Sequence, residues 1–431
     1  MPFLLAEKSD RMLRAGIMAG LLTERGHDVT WWTSQFSHQH KKFRDTVSDS
    51  IVHGYREDGE AAPDLIFLSS LGYRKHISIR RLRDHAGLAR KFRKMAPLMP
   101  RPDVVLAAYP TIELCAAAIE FCEENGIPCI IDIRDLWPDI IYARLAKPLR
   151  RFGLQRTIRF PYYERMATEI FQKAQAVTGL SRGMVNWCAD RFDRPLDFQV
   201  RDRVFFQSKF PCWLNQGQID AERTRWLERG VDLLAPKTRF VWSGSLVEET
   251  DGATLLDVLE QIPDNLRKSI EIVLCGTGSL VPRIKEMATR LEHVVYAGWV
   301  DELALTNLLE HSHVGLLCYL DRFDFQNSIP NKVTDYCNGS MRILTNLTGE
   351  IARLTEGTDI RILYPTGNVA ALLDIFIEIA RRPDQYRKKS KASHDLFVRC
   401  FNAANVLTAF AEHIELVAVS PLCPVKPNFE G

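Results

Sequence analysis

Short apolar runs alternate with stretches whose apolar residues return every three or four positions, and this continues through most of the 431 residues. The first rhythm is that of buried strands, the second that of one-sided helices. Leu13, Ile17, Leu21 and Leu22 predict a helix over 11–25 that Gly26 stops, and Asp28–Trp32 then reads as a strand. Further strands are expected at Asp64–Leu68, Val104–Tyr109 and Pro128–Ile133, with helices over Arg80–Met95 and Thr111–Asn125. The polar, basic passage Phe36–Arg44 reads as an exposed loop. After another helix and a strand ending in Ala176–Ser181, the alternation lapses between Phe210 and Lys237, which marks a domain junction. It resumes with strands at Phe240–Ser243, 270–275, Val294–Ala297, 314–319, 342–345 and 361–364, with helices between them. Strands alternating with amphipathic helices make parallel sheets covered on both faces. The expected fold class is therefore α/β, two doubly wound, Rossmann-like domains facing across a cleft. The expected boundaries are 1–212, 213–395, a helix over 396–419 that crosses back, and a loose proline-containing tail over 420–431. The first strand of the first domain is not visible; either Met1–Leu5 is its remnant or the start lies upstream.

Ligands of such sheets sit beyond the carboxyl ends of the strands. The stretch Ser328–Gly339, S-I-P-N-K-V-T-D-Y-C-N-G, reads as a short helix with Ser328 as N-cap, Pro330 in the first turn and Gly339 as a left-handed cap. Its N-terminus would aim unpaired N–H groups and a positive dipole end at a phosphate. Lys332 adds a full charge, and Asp335 shares a face with Ser328, Asn331 and Lys332, where it could accept two ribose hydroxyls. Gly244, Gly276 and Gly278 follow strands and let backbone approach a ligand. Gly276-Thr277-Gly278 is not a dinucleotide fingerprint, since Val281 occupies the third glycine position. In the first domain Asp132 and Asp135 end a strand, as candidates for orienting or deprotonating a hydroxyl. Gly179–Gly183 fits G-x-S-x-G, which keeps a hydrolase with Ser181 as nucleophile among the alternatives.

A formal net charge of +2 argues against a nucleic-acid binder acting through bulk charge and leaves only local basic patches for such a role. Ten cysteines without a C-x-x-C pair suit reduced thiols in a cytoplasmic protein and suggest no metal site. No apolar run approaches the roughly 20 residues of a membrane helix, and Glu7, Lys8 and Asp10 interrupt the only apolar start. Cations and aromatics interleave over 144–165, either as a solvated helix pair or as a face that meets anionic headgroups at the inner side of the plasma membrane. Arg150, Arg151, Arg156 and Arg159, with His38, are the candidates for this acceptor or membrane face.

The passages R-G-H-D-V-T-W-W at Arg25–Trp32, D-I-R-D-L-W-P-D at Asp132–Asp139, G-L-S at Gly179–Ser181, G-T-G, and the Ser328–Gly339 stretch occur in an order that resembles the retaining GT-B glycosyltransferases of family 4, in their bacterial surface-polysaccharide branch. The similarity runs from about Arg11 to Val417. It implies transfer of a sugar, with retention, from a nucleotide-diphosphate sugar on the second domain to a glycan or lipid-linked acceptor on the first, without metal or cofactor. The family's paired acidic positions fall on Asn327 and Asp335, the latter on the donor ribose. Ser245 and Asp251 stand where many members carry Arg and Lys for the diphosphate, which leaves Lys332 and the helix N-terminus to hold it. A nucleotide-sugar epimerase on the same plan and a binding-only relative without turnover are the alternatives.

Overall fold

The computed structural model describes residues 14–38, 40–55, 61–74, 78–145, 159–248 and 250–420. The chain separates into two compact units, one taking it up to Phe205 and again from Leu407, the other spanning Phe206–Val406.

Unit 1 begins its described part with α1 (Arg14–Glu24), then β1 (Thr30–Ser34), β2 (Ile51–Tyr55), β3 (Ala61–Leu68), α2 (Ile79–Met95), β4 (Val105–Tyr109), α3 (Ile112–Asn125) and β5 (Cys129–Ile133). It continues with α4 (Pro161–Lys173), β6 (Ala176–Gly179), α5 (Arg182–Phe192) and β7 (Arg203–Val204). Gly126 ends α3 in the left-handed conformation, at φ 60. β4, β5, β6 and β7 form a parallel sheet in that order, in which every residue of β5 is buried. A three-stranded sheet runs β1-β3-β2, with β1 parallel and β2 antiparallel to β3. The first-strand assignment to Met1–Leu5 lies outside the described residues.

Two details differ from expectation. Phe36–Arg44 is not simply an exposed loop: Phe36–Ser37 pairs antiparallel with Lys42–Phe43, because Phe36 packs on Phe43 and Tyr73 at centroid distances of 5.3 and 5.0 Å. Gly72, at φ +61, must be glycine here, since a Cβ would lie 2.8 Å from the Phe43 ring. The extra strand β2 was hidden by its brevity and by Gly54, where the pairing register slips.

Unit 2 carries α6 (Gln216–Glu228), β8 (Thr238–Ser243), α7 (Gly252–Gln261), β9 (Ile270–Cys275), α8 (Val281–Arg290), β10 (Val294–Gly298), α9 (Glu302–Glu310), β11 (Val314–Leu317), α10 (Asn331–Asn338), β12 (Arg342–Thr345), β13 (Arg361–Leu363) and α11 (Val369–Arg381). Its six strands are parallel in the order β10-β9-β8-β11-β12-β13. One face packs Phe240, Trp242, Leu256, Ile272 and Phe376; the other packs Val241, Val273, Val333, Tyr336 and Phe401. The order reverses between β8 and β11, which opens a crevice at their carboxyl ends. The long helix α12 (Ala403–Val419) begins in unit 2 and belongs to unit 1 from Leu407 on, where Phe410 stacks on Phe205 at 4.4 Å.

Candidate functional site

In unit 2 the donor-side residues gather at the reversal point. Helix α10 starts at Asn331, with Pro330 rather than Ser328 at the cap position and no side-chain cap bond. Pro330 is extended (ψ 143) and disfavours helix at Ile329, so the helix cannot reach back to Ser328. Gly339 is not left-handed (φ −76); Ser340 takes that role (φ 54). A Cβ at 339 would crowd Leu309 at 3.0 Å.

Lys332 is buried one residue into α10. Its ammonium lies 4.8 Å from the centroid of Trp242, at the end of β8, and 5.4 Å from that of Tyr319, just after β11. No carboxylate pairs with it among the described residues, and burial pushes its pKa down to about 7. Its stem borders Gly244, where a Cβ would stand 3.3 Å from Lys332 Cε. Gly276 and Gly278 serve a different purpose from the one expected of them. A Cβ at Gly276 would lie 1.8 Å from the Gly244 oxygen, and one at Gly278 2.1 Å from the Leu246 oxygen. These glycines let two strand-end turns interlock, through Gly244 N–H to Cys275 O at 2.9 Å and Leu246 N–H to Thr277 O at 2.9 Å. The floor beside Lys332 is therefore bare backbone, with Gly244 and Ser245 exposed.

Asp335 does not join Lys332. It pairs with Lys209 at 3.1 Å, and Lys209 also meets Glu302 at 3.3 Å. Lys209 sits on a strap bonded to Phe401 and Ala403, and although burial opposes its charge, Asp335 and Glu302 hold its pKa above the usual range. Asn327 donates to Phe323 O at 2.9 Å, Ser328 is half-buried and Asn331 is exposed. Asp251, where the resemblance led us to expect a lysine, is buried: it accepts from Thr254 at 2.6 Å and Tyr364 at 2.9 Å, tying α7 to the β13 loop. Trp299, which motif reading missed, follows β10 with its ring exposed, beside the bond from Gly276 N–H to Gly298 O.

In unit 1 the two strand-end carboxylates part company. Asp132 has no exposed surface; it accepts from Thr178 at 2.8 Å and Arg134 at 2.9 Å and faces Arg14 at 3.7 Å. Burial favours its protonation, but Arg14 and Arg134 win and hold its pKa below the usual range. It is a structural carboxylate with no route to a substrate. Asp135 is half-buried and accepts from Leu136 N–H at 3.1 Å. Ser181 cannot be a nucleophile: it is fully buried at an extended backbone position (φ −155), where its oxygen accepts from Met184 N–H as the cap of α5.

Around Asp135 stand residues that no motif singled out. Arg81 lies 4.4 Å from the Trp137 ring and 5.3 Å from that of Tyr73, and donates through Nε to His85 at 3.3 Å. His85 faces Glu113 at 3.7 Å, and Glu113 accepts from Tyr163 at 2.9 Å. His38, expected on the acceptor face, shares a hydrogen bond between its Nδ1 and the Tyr73 hydroxyl at 2.8 Å. Arg159 is exposed; Arg150, Arg151 and Arg156 lie outside the described residues. Among the described residues no group of three or more His, Cys, Asp and Glu is placed to hold a metal ion, and no helix is long and apolar enough to cross a membrane.

No family model and no curated protein sequence matches the chain. Solved structures do. Sucrose-phosphate synthase from Thermosynechococcus elongatus superposes with a TM-score of 0.67, at 12% identity, over 94% of this chain and 93% of that one. The UDP-forming α,α-trehalose-phosphate synthase of Burkholderia vietnamiensis gives 0.63, at 11% identity, over 96% and 95%. The fold is GT-B. Anabaena HepE, solved with UDP, gives 0.58 at 13% identity over 82% and 86%. At such identities the likeness concerns the course of the chain; the chemistry must come from the side chains of the two GT-B units.

Proposed function

We propose that this protein is a retaining glycosyltransferase that moves a sugar from a nucleotide-diphosphate sugar, held by unit 2, to a glycan or lipid-linked acceptor, held by unit 1, in the synthesis of a surface polysaccharide. The observation that carries the donor half is Lys332: a buried ammonium at the N-terminus of α10, at the reversal point of a parallel sheet, beside bare glycine turns. A diphosphate there gains a charge partner, free N–H groups and the helix dipole together. Support comes from HepE, whose solved complexes hold UDP and UDP-glucose, and from the motif order in the sequence. Trp299 offers a ring for the base, and Asp335, already gripped by Lys209, offers one carboxylate oxygen for the ribose.

As the glycosidic bond to the diphosphate breaks, negative charge grows on the leaving oxygen, and Lys332 with the α10 N-terminus stabilises it. In a front-face mechanism the leaving phosphate takes the acceptor proton, and Asp135 orients the hydroxyl. Family 4 membership, surface-polysaccharide synthesis, a cytoplasmic location and peripheral contact with an anionic membrane belong to the same proposal. Titration calorimetry with UDP and GDP, followed by assay of sugar release and transfer from their sugar conjugates, tests it. Binding of neither nucleotide ends the transferase reading, and a product with inverted anomeric configuration ends the claim of retention.

A further inference from the structure

Beside Lys332 stands a second polar group that the fold of unit 2 leaves without a partner. Tyr319 follows β11 by two residues, and Asn346, just after β12, grips both of its backbone groups: Asn346 Oδ1 accepts from Tyr319 N–H at 3.0 Å, and Nδ2 donates to the Tyr319 carbonyl. The same Nδ2 donates to Thr366 at 2.7 Å, which ties the clamp to the loop after β13. The Tyr319 ring packs on Phe325 at a centroid distance of 4.6 Å and carries the Lys332 ammonium at 5.4 Å. Backbone and ring are held, yet the hydroxyl makes no hydrogen bond among the described residues. Tyrosines of similar exposure do not leave theirs idle. Tyr163, Tyr296 and Tyr386, half-buried like Tyr319, donate to Glu113 at 2.9 Å, Gly276 O at 3.0 Å and Glu378 at 3.2 Å. The fully buried Tyr336 and Tyr364 donate to Val241 O at 3.1 Å and Asp251 at 2.9 Å. A shielded phenol normally finds such a partner, because one without it forfeits the bond it made with water.

We propose that the Tyr319 hydroxyl donates to the phosphate that carries the sugar in a nucleotide-diphosphate donor, as a second donor beside Lys332. The inference rests on the donor reading of Lys332 and adds a residue to that site. Ammonium and hydroxyl share one ring, the first against its face and the second on its rim, so an anion in contact with the amine lies within a ring's width of the phenol. A phosphate has oxygens enough to take a bond from each, and bonds to an ionised acceptor are the strong ones. As the bond from the anomeric carbon to the phosphate oxygen breaks, its electron pair stays on that oxygen; the acceptor oxygen bonds to the carbon, and its proton passes to the leaving phosphate. Tyr319 keeps its own proton throughout, since burial pushes its pKa up to about 12, and its bond tightens as charge grows on the leaving group.

Tyr319→Phe keeps the ring against Lys332 and Phe325 and removes one oxygen. Titration calorimetry of the full chain with UDP and UMP, with GDP and GMP in parallel, and thermal melting of the same samples test the assignment. The variant should bind the diphosphate roughly tenfold more weakly than the parent and the monophosphate equally well. Transfer from the sugar donor should slow by at least the same factor. The melting temperature should be unchanged or higher, because the lost hydroxyl has no partner among the described residues. Equal diphosphate affinity in parent and variant, an equal loss for mono- and diphosphate, or a melting temperature lowered by several degrees, the mark of a partner inside the protein, overturns the assignment. A parent that binds neither UDP nor GDP overturns instead the donor reading on which it rests.

Discussion

Replacing Lys332 by Met keeps the length of the side chain, fills the same space between Trp242 and Tyr319, and removes the ammonium. Burial lowers this lysine from an ordinary value of 10.5 to about 7. The sign follows from proton counts. Between these two values the unfolded chain binds more protons than the folded one, so stability rises with pH there, and the cost of the buried charge is greatest below pH 7. That cost comes to about 5 kcal/mol at pH 6 and about 2 kcal/mol at pH 9, as an order of magnitude. The two ring faces favour the ammonium and offset about 1–2 kcal/mol of it. Lys332→Met should therefore be more stable than the parent by about 3 kcal/mol at pH 6, with the gain falling to about 2 kcal/mol by pH 9 and disappearing as pH rises past the unfolded value of 10.5. Hydrogen exchange of the Phe240–Ser243 amides reads the opening of unit 2 by itself, so the unfolding of unit 1 does not enter.

The same substitution should weaken UDP roughly tenfold or more. In the parent, UDP should draw a proton onto Lys332: close to one proton taken up at pH 8, little at pH 6, as read by calorimetry in buffers of different ionisation enthalpy. A gain in stability with a loss of binding is the signature of a charge kept for function. A stability gain that is the same at pH 6 and pH 9, or UDP affinity untouched by the loss of the amine, refutes the reasoning.

Gly276→Ala places a Cβ against the Gly244 oxygen at φ +138, and should cost at least about 3 kcal/mol and abolish UDP binding, whereas Gly298→Ala, also at positive φ (+71) but with open space around it, should cost only about 1 kcal/mol by thermal denaturation. Asp335→Ala leaves Lys209 with Glu302 alone and should lower stability by about 1–3 kcal/mol and UDP affinity severalfold; stability lost with affinity unchanged would show the ribose assignment to be wrong. Asp132→Ala takes a buried carboxylate away from Arg14 and Arg134 and should cost about 3–5 kcal/mol. Because the pKa of Asp132 is depressed, its contribution is present above the unfolded carboxylate value and lost as pH falls through the folded one, so parent and variant should converge in acid denaturation. Asp135→Asn should leave the melting temperature within a few degrees of the parent and reduce transfer more than donor binding.

The strands and helices of unit 2 were legible because each strand is a closed apolar run and each helix has one apolar face; β8 and β9 are buried at every residue. What escaped is what depends on distant partners. The pairing of Asp335 joins residues 126 apart, and helical spacing, which placed Asp335 on the face of Lys332, carries no information about Lys209. Asp132 and Asp135 look alike in sequence. Only the parallel neighbour β6, with Thr178, and the arginines on either side show that one is sealed in and the other open. Arg81 and His85 lie in the helix expected over Arg80–Met95, and their packing against Trp137, which follows β5, is not visible in its spacing.

Other buried charges among the described residues have polar partners. Arg239 meets Glu271 at 2.6 Å and donates to the carbonyls of Asp232 and His311; Arg194 pairs with Asp202; Asp251 accepts from a tyrosine, a threonine and a backbone N–H. Lys332 has only two aromatic faces, among the described residues. An uncompensated buried ammonium works against folding and has no structural purpose that a methionine would not serve better. Its neighbours explain it only if an anion completes them: bare glycine turns on one side, unpaired helix N–H groups on the other, and the reversal of strand order that opens a crevice above. Asp251 is committed to holding α7 in place and is not a partner for Lys332. On the proposed reading, donor binding in unit 2 concentrates on one amine whose charge the ligand itself restores.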